Sequence, residues 1–355
     1  MNVGICLRYQ RQDSTLAVLA LADFLYQRGM TVTFHTSLRQ IPVVRPEWDK
    51  SVFNHKRLRF AEWARKQEVV IWANLPDDDP THAIAQVEWV KRQKIRTIFV
   101  YQWHEDAGNW KDLLKKFDFV VAPNAAAKMV LRRRYDYGSP FHVPWAPPRP
   151  QQRKLPKKDL SLFRVLIPLT YSQTEFVDQS FFDVCNSLLE NPRVGLTILH
   201  GRLSSGADVL LKRMSRQVRG RLDLVRFASY TDQLLALAAH DVTVFPVAQE
   251  IFGLMPYLSV RSGTPVVAPN NPPINQLLTD GEDGILFEGR LKDNCGHIPT
   301  VKVDPQLVAD SVMLLSNNVR VLNHLQNGCG ATAVKSEQLF KKRWLDLLSE
   351  REPLC

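Results

Sequence analysis

The sequence lacks a long apolar run, the layout of a signal peptide and any ordered spacing of its cysteines. No window of its 355 residues approaches the uncharged apolar stretch that a membrane-spanning helix needs. The N-terminal residues MNVGICLRYQRQ pass from a short apolar segment directly into polar residues, unlike a signal peptide. The five cysteines are dispersed, and Cys295 with His297 is too small a group for a zinc site, so both are interpreted as loop residues. These absences predict a cytoplasmic protein with reduced thiols.

Positive charge is divided unequally between the two halves of the chain. The net charge is +10, and residues 1–160 hold 27 Lys and Arg against 16 Asp and Glu. Residues 161–355 hold the other 19 basic and 20 acidic residues, so the whole excess lies in the first half. An excess confined to one half favours an anionic partner for that half, either nucleic acid or an anionic membrane surface.

Predicted strands alternate with predicted helices along both halves of the chain. The first half begins with a strand at 3–7 and a helix from about 13 to 28, and the alternation continues to a strand at 119–122. A second alternating run extends from a strand at 164–167 to a strand at 284–287. Alternation of this kind predicts parallel sheets covered by helices on both faces.

The boundary between the two runs is rich in proline and basic residues. Residues 144–158 hold five prolines and five Lys or Arg, which predicts an exposed linker. The expected fold class is therefore α/β, with two Rossmann-like, doubly wound domains at 1–150 and 159–334 that face a central cleft. The tail at 335–350 is predicted to be a charged amphipathic helix.

The most informative segment is EIFGLMPYLSVRSGTPVV, residues 250–267. It predicts the end of a strand, a tight loop, a short helix and, after a Gly-Thr-Pro turn, a buried strand. Backbone N–H groups at a helix start bind anions, and Gly253 allows the backbone to approach a ligand closely. Glu250 precedes the loop, where an ionised carboxylate accepts hydrogen bonds from sugar hydroxyls. The segment thus suits a pyrophosphate linked to a sugar.

This segment resembles the signature of the retaining nucleotide-sugar transferases of glycosyltransferase family four, which have the GT-B fold. The signature consists of Glu, any residue, Phe-Gly-Leu, a second Glu eight positions after the first, and then Gly-Thr-Pro-Val. Residues 250, 252–254 and 263–266 match it, whereas Leu258 stands in place of the second Glu. In the family that Glu commonly holds the ribose of the donor.

The resemblance extends beyond the signature. Residues 221–246 are similar to the family's run from a strand through a short helix to the next strand, and residues 274–287 are similar to its loop and strand after the donor helix. In GT-B proteins the last helix crosses back to the first domain, which implies that a helix within 335–355 packs on domain 1–150.

The resemblance implies roles for individual residues. The donor is expected to be a nucleotide sugar, with a UDP-sugar favoured, and no metal is expected. Glu250 would hold hydroxyls of the donor sugar, and the backbone of Phe252, Gly253 and Leu254 would hold the pyrophosphate. His104, in the segment after a predicted strand of the first domain, would lie beside the donor sugar, where an imidazole stabilises a hydroxyl or leaving oxygen.

Two departures from the family concern the donor phosphates and the acceptor. The family supplies an Arg and a Lys from the loop after the first strand of the second domain, but residues 168–175 hold no cation. Leaving-group charge must be stabilised for fast transfer. The candidates for that contact are Thr170, Ser172, Arg202, Arg8 and Arg11. The segment after the first strand also lacks the family's Gly-Gly loop, which predicts an unusual acceptor.

Basic clusters in the first half predict where an anionic acceptor binds. The clusters lie at 55–59, 91–96 and 132–134, and the residues expected to contact the acceptor are Lys56, Arg57, Arg59, Arg132, Arg133 and Arg134. Seven of the eight tryptophans lie in the same half, where aromatic rings can stack on displaced bases and basic groups can hold phosphates. Taken singly, each tryptophan is interpreted as a core residue and each charge run as a solvated helix face.

Three functional hypotheses follow from this half of the chain, two of them with different acceptors. The favoured acceptor is DNA with hydroxymethylated pyrimidines, the acceptor of bacteriophage base glucosyl- and arabinosyl-transferases, which must flip the base out of a duplex. One alternative is a lipid, lipopolysaccharide or polysaccharide acceptor at the cytoplasmic leaflet. The other is a non-catalytic nucleic-acid-binding protein on a decayed transferase fold.

Overall fold

The computed structural model divides the chain into two units, each built on its own parallel sheet. Unit 1 comprises residues 1–149 and 336–355, and unit 2 comprises residues 150–335. Each unit holds a parallel six-stranded sheet with helices, which confirms the predicted α/β class. The structure describes residues 1–7, 12–36, 59–73, 80–101, 110–144, 146, 162–169, 179–200, 205–218, 220–226, 230–246, 253–295 and 298–350.

The sheet of unit 1 has the strand order β2-β1-β3-β4-β5-β6. Its strands are β1 (Asn2–Leu7), β2 (Thr31–Thr36), β3 (Val69–Trp72), β4 (Arg96–Val100), β5 (Phe119–Ala122) and β6 (Phe141–His142). The apolar run of β3 is buried along its whole length, as expected for a parallel sheet covered on both faces. Chain order changes direction between β1 and β3, where ligands of such sheets bind at the carboxyl ends of the strands.

Within the described residues of unit 1, five helices follow the strands. They are α1 (Gln12–Gln27), α2 (Phe60–Ala64), α3 (Pro80–Arg92), α4 (Lys111–Leu114) and α5 (Ala125–Tyr135). The side chain of Asn124 accepts a hydrogen bond from the backbone of Ala127, so α5 begins with an ordinary N-cap. Asp136 ends the same helix in the left-handed conformation, with a φ of 50°. The sequence analysis did not predict α5.

The sheet of unit 2 has the strand order β12-β11-β10-β7-β8-β9. Its strands are β7 (Phe163–Leu169), β8 (Val194–His200), β9 (Leu222–Arg226), β10 (Val242–Val244), β11 (Val266–Pro269) and β12 (Gly284–Phe287). A separate antiparallel hairpin consists of β13 (Arg290–Cys295) and β14 (Ile298–Lys302). Because Cys295 ends β13, its interpretation as a loop residue was wrong; His297 lies outside the described residues.

The part of unit 2 that the structure describes holds six helices before the last helix of the chain. They are α6 (Gln179–Glu190), α7 (Ser205–Gln217), α8 (Tyr230–Ala238), α9 (Leu254–Arg261), α10 (Ile274–Leu277) and α11 (Pro305–Asn317). The side chain of Asp304 caps α11 by accepting from the backbone of Gln306. The apolar core of this unit lies between the sheet and the helices α6, α7 and α11.

The last helix contributes to both units. It is α12 (Val319–Ser349), a single helix of 31 residues that begins well before the predicted start at 335. A Cβ added at Gly328 would overlap the carbonyl oxygen of Glu282, so only glycine lets the helix lie against that turn. Farther along, Phe340 and Trp344 are part of the core of unit 1, and the rings of Phe340 and Phe24 lie 6.0 Å apart.

No helix in the described ranges is long and apolar enough to span a membrane.

Candidate functional site

A change of direction in strand order marks the candidate site of unit 2. From β7 the chain adds β8 and β9 on one side and then returns to add β10, β11 and β12 on the other. In open α/β sheets, ligands bind outside the carboxyl ends of the strands at such a point. Because α9 is the helix that follows β10, its first turn lies at this edge of the sheet.

Gly253 starts α9 in a conformation that other residues rarely adopt. It is the N-cap of the helix, with a φ of 68° and a ψ of 16°. The carbonyl oxygen of Gly253 accepts the first helical hydrogen bond, from the backbone of Tyr257 at 3.0 Å. The N–H groups of a first helical turn have no acceptor within the helix and carry the positive end of its dipole. This start of a helix is therefore suited to an anion such as a pyrophosphate.

Buried hydroxyl groups hold α9 in place. The Ser259 hydroxyl lies 2.6 Å from the Thr243 hydroxyl of β10 and 2.8 Å from the carbonyl oxygen of Thr264. The Thr264 hydroxyl donates to the carbonyl oxygen of Leu237 in α8 at 2.8 Å. All three hydroxyl side chains are buried. Since each has a partner, the network fixes α9 relative to β10 and α8 at little desolvation cost.

Leu258, which replaces the second Glu of the family signature, is a core residue. Its side chain has an exposed fraction of 0%, and the neighbouring side chains of α9 are also buried. The position therefore presents no oxygen to a ligand. Leu254, which was predicted to contribute backbone to the donor site, is also buried, at 2% exposure, so its side chain packs in the core while its N–H belongs to the first turn.

The segment after β11 borders the start of α9. A Cβ placed on Gly253 would lie 3.7 Å from the Cγ of Pro273 and 3.9 Å from the Cδ2 of Leu277. These are ordinary contact distances, so the φ of Gly253, rather than space, requires the glycine. The sequence analysis singled out residues 274–287 but missed Pro273. The position of Pro273 shortly after β11, which is the strand next to β10, could have identified it from the sequence.

In unit 1, Tyr101 is the last described residue before the sequence segment that holds His104. Tyr101 directly follows β4, its backbone N–H donates to the carbonyl oxygen of Val121 at 2.8 Å, and its ring lies 6.3 Å from that of Tyr135. Burial is the main cause that raises the pKa of Tyr101, so the phenol stays neutral. His104 itself lies outside the described residues.

Most of the predicted catalytic and donor-binding residues lie outside the described part of the chain. Together with the undescribed members of the basic clusters, these residues are Arg8, Arg11, Lys56, Arg57, His104, Thr170, Ser172, Arg202, Glu250 and Phe252. Within the described ranges, no three His, Cys, Asp or Glu side chains form a group that could hold a metal ion.

The described members of the basic clusters lie at the surface, and two of them contact neighbouring residues of the same unit. Arg59, Arg132 and Arg133 are exposed, and Arg134 is half-buried. The Nε of Arg132 donates to the carbonyl oxygen of Gly138 at 3.2 Å, and Arg134 lies over the ring of Tyr135 at 5.7 Å. The last turn of α5 therefore presents a basic surface.

Three tryptophans of the first half belong to the core. Trp63, Trp72 and Trp110 have exposed fractions of 5% or less, and the Nε1 of Trp63 donates to the Thr33 hydroxyl at 3.1 Å. This burial confirms the expectation that single tryptophans belong to the core, and core packing covers these three rings so that they offer no stacking surface for bases. Trp89 is half-buried and lies 5.5 Å from the guanidinium of Arg65. The remaining three, Trp48, Trp103 and Trp145, lie outside the described residues.

Sequence comparison relates unit 2 to sugar transferases. Residues 192–296 match the family described as Glycosyl transferases group 1. The chain is also 45% identical over 73 residues to a D-inositol 3-phosphate glycosyltransferase of Thermomonospora curvata. That alignment covers 20% of this chain and 17% of the relative, so it concerns a small part of both.

Structural comparison covers nearly the whole chain. A glycosyltransferase from Rickettsia africae has a TM-score of 0.71 at 12% identity, over 98% of this chain and 97% of that protein. Anabaena HepE, solved in complex with UDP and glucose, has a TM-score of 0.69 at 13% identity, over 99% and 100%. The sucrose-phosphate synthase of Thermosynechococcus elongatus has a TM-score of 0.68 at 13% identity, over 98% of both chains. These likenesses confirm the two-domain GT-B fold.

Proposed function

We propose that the protein is a glycosyltransferase that moves a sugar from a nucleotide-sugar donor, most favourably a UDP-sugar, to an anionic acceptor. The observation that carries this proposal is the glycine-started helix α9 at the change of strand order, inside the segment that matches the group 1 family. The complex of Anabaena HepE with UDP and glucose supports a uridine nucleotide as the donor carrier.

The donor phosphates bind at the first turn of α9 in this proposal. The N–H groups that follow Gly253 and the dipole of the helix stabilise the negative charge that grows on the leaving diphosphate. As the family resemblance implies, Glu250 and His104 hold the donor sugar in this proposal. We propose that the cation missing from 168–175 is supplied by Arg202, Arg8 or Arg11, assisted by the hydroxyls of Thr170 and Ser172.

The transfer exchanges one bond to the anomeric carbon for another. The bond from that carbon to the β-phosphate oxygen breaks, and UDP leaves with the electron pair. A bond forms from the same carbon to the acceptor hydroxyl oxygen, whose proton is released. By the family resemblance, we propose that the configuration at the anomeric carbon is retained and that no metal takes part.

DNA with hydroxymethylated pyrimidines is the proposed acceptor. Support comes from the net charge of +11 confined to residues 1–160 and from the exposed arginines at the end of α5. A basic surface binds the phosphates of DNA, and the hydroxymethyl group supplies the nucleophilic oxygen.

The test is a mass measurement. The protein is incubated with a pool of nucleotide sugars and DNA that contains 5-hydroxymethylcytosine, and the digested nucleosides are weighed. We expect the mass of a hexose or pentose on the modified base. Consumption of nucleotide sugar without a nucleoside shift would overturn the DNA acceptor in favour of a lipid or glycan.

A second measurement separates an enzyme from a decayed transferase. Glu250→Gln is expected to abolish the slow hydrolysis of the donor, whereas Glu62→Gln, which changes an exposed carboxylate in the first turn of α2, is expected to leave it unchanged. DNA binding without any donor turnover by the unaltered protein would overturn the enzymatic proposal and favour the non-catalytic alternative.

A further inference from the structure

The end of α6 and one face of α11 border an open cavity in unit 2. Its volume is about 490 Å³, which lies within the usual range for sites that bind small molecules. The residues of α11 that line it recur at helical spacing, among them Gln306, Ala309, Met313 and Asn317. Because residues three or four apart share one face of a helix, the cavity follows α11 along its length.

The floor of this cavity is apolar and belongs to the core of unit 2. Leu188 of α6 and Val312 of α11 line the cavity, and both are buried members of that core. Met313 also lines the cavity but is 42% exposed, so its side chain lies at the rim. The cavity therefore offers an apolar surface to the C–H groups of a ligand.

Hydrogen bonds fix the turn between α6 and β8, which forms one end of the cavity. The side-chain oxygen of Asn191 accepts from the backbone N–H of Arg193 at 2.9 Å, and the guanidinium of Arg221 donates to the carbonyl oxygen of Asn191 at 2.9 Å. The backbone N–H of Phe163 donates to the carbonyl oxygen of Arg193 at 2.8 Å. The backbone of this end is thus ordered before a ligand binds, which lowers the entropic cost of binding.

The polar groups around the cavity carry no net charge. Glu190 and Arg193 supply one negative and one positive charge, and both side chains are exposed. Gln306 and Asn317 supply neutral amides from α11, and Ser187 supplies a hydroxyl from α6. Carboxylates only accept hydrogen bonds, guanidinium groups only donate them, and amides and hydroxyls do both. This set suits a neutral ligand that also donates and accepts hydrogen bonds.

The cavity lies away from the candidate donor site. Val194, which lines it, is the first residue of β8, and Glu190 is the last residue of α6, so the cavity adjoins the amino edge of the sheet. The start of α9 lies at the carboxyl edge, and the seven residues of β8 span about 20 Å between the two edges. A ligand in the cavity therefore leaves the first turn of α9 accessible.

We propose that this cavity binds a neutral saccharide of one or two rings. The ring hydroxyls exchange hydrogen bonds with Glu190, Arg193 and the amides of α11, while the C–H face of a ring packs on the apolar floor. Such a site holds a sugar-bearing molecule on unit 2 while the donor site stays open. The proposal goes beyond the proposed transfer reaction and does not rest on it.

The first test labels the methionine methyl groups with ¹³C and follows them by NMR while glucose, galactose or maltose is added. Met313 reports on the cavity and is assigned through Met313→Leu, whereas Met255 reports on α9. We expect a saccharide to shift the Met313 signal along a saturable curve and to leave Met255 unchanged. If none of the three sugars shifts Met313, the saccharide site is overturned.

Addition of UDP to the same labelled protein separates this proposal from the donor site. UDP is expected to shift the Met255 signal and to leave Met313 unchanged, because the two methionines belong to opposite edges of the sheet. A failure of UDP to shift Met255 bears on the proposed function alone. Displacement of the saccharide from Met313 by UDP would overturn a separate site.

The second test compares two enlarged side chains on α11. Ala309→Phe fills the cavity and is expected to abolish the saccharide shift of Met313, whereas Leu314→Phe, at a 51% exposed position outside the lining, is expected to keep it. An unchanged Met255 signal shows that each variant is folded. Equal losses in both variants would overturn the site.

The third test examines the chemistry of the ligand. Asn317→Ala is expected to weaken saccharide binding about 2- to 10-fold, the effect of one lost hydrogen bond. Binding is expected to be the same at low and at high salt, since a neutral ligand is not attracted by screened charges. A response of Met313 that is confined to charged sugars and is lost at high salt would overturn the assignment to a neutral saccharide.

Discussion

The guanidinium of Arg96, at the start of β4, donates a hydrogen bond of 2.8 Å to the carbonyl oxygen of Leu348 near the end of α12. A second, longer contact of 3.5 Å reaches the carbonyl oxygen of Leu347. The last carbonyl groups of a helix have no donor within it and carry the negative end of its dipole. A half-buried arginine thus joins the end of the chain to the sheet of unit 1.

Replacement of Arg96 tests this junction. Arg96→Met is expected to lower the free energy of unfolding by about 1.5–3 kcal/mol, because it leaves the final carbonyl groups of α12 without their charged donor. The measurement is thermal unfolding followed by circular dichroism. Arg92→Met, an exposed arginine in the last turn of α3, is the matched control and is expected to change the midpoint little. Equal effects of both variants would contradict the role of Arg96.

Gly253 and Gly263 permit a paired test of the proposed donor site. They lie at the two ends of α9 with φ values of 68° and 75°, and an added Cβ meets no close atom at either position. Alanine is expected to cost about 1–2 kcal/mol of stability at each position, since the left-handed conformation disfavours a side chain. Only Gly253→Ala is expected to weaken binding of UDP, measured by calorimetry. If Gly263→Ala weakened it equally, general strain in α9 would account for the loss.

Leu258 is predicted to tolerate shape changes but not charge. Leu258→Met is expected to cost less than about 1.5 kcal/mol, because the volume is nearly conserved in a fully buried site. Leu258→Glu is expected to cost more than about 2 kcal/mol at pH 8. Burial raises the pKa of such a carboxyl above the unfolded value of about 4.3, so the loss grows as the pH rises from 5 to 8. Urea unfolding at both pH values measures this, and a pH-independent loss would contradict it.

The stability of the natural protein is expected to depend on pH in the same direction because of Asp283. The side chain is buried, and its two oxygens accept hydrogen bonds from the backbone of Thr279 at 2.9 Å and from the hydroxyl of Thr332 at 2.6 Å. Burial is the main cause that raises the pKa of Asp283, and these two hydrogen bonds oppose the shift. A raised folded pKa favours the protonated form, so its contribution to stability is complete below the unfolded pKa of about 3.9 and is lost as the pH rises.

The experiment compares the natural protein with Asp283→Asn from pH 4 to pH 7 by urea unfolding. Relative to that neutral variant, the natural protein is expected to lose stability as the pH increases through the raised pKa. Thr332→Val removes a hydrogen bond that stabilises the carboxylate, so we expect it to enlarge the loss and extend it to higher pH. A constant difference between the natural protein and Asp283→Asn would exclude Asp283 as the titrating group.

The sequence predicted the elements whose pattern is local and missed those that depend on packing. Apolar runs such as 119–122 predicted buried strands because parallel strands covered by helices are apolar throughout. The hairpin of β13 and β14 was missed because its strands, RLKDNC and IPTVK, show no apolar alternation. The early start of α12 was missed because Gly328 and Gly330 disfavour helix, and packing against the turn at Glu282 overrides that preference.

Prediction of the candidate site also succeeded for a contiguous sequence pattern and failed for features that depend on packing. The signature around Gly253 is contiguous, so its spacing could be recognised, and the structure places its glycine at the start of α9. The burial of Trp63 and Trp72 depends on which faces of distant segments meet. No spacing along the chain encodes that information, because these segments come together only in the folded unit.

The passage of α12 from unit 2 into the core of unit 1 has a consequence for synthesis on the ribosome. Phe340, Trp344 and Leu347 complete the apolar core that begins with β1 and α1. Translation of all of unit 2 separates these two parts of one core, so the nascent first unit exposes the apolar surface around Phe24 until the final turns of α12 emerge. The half of the protein that is made first is therefore the half that finishes folding last.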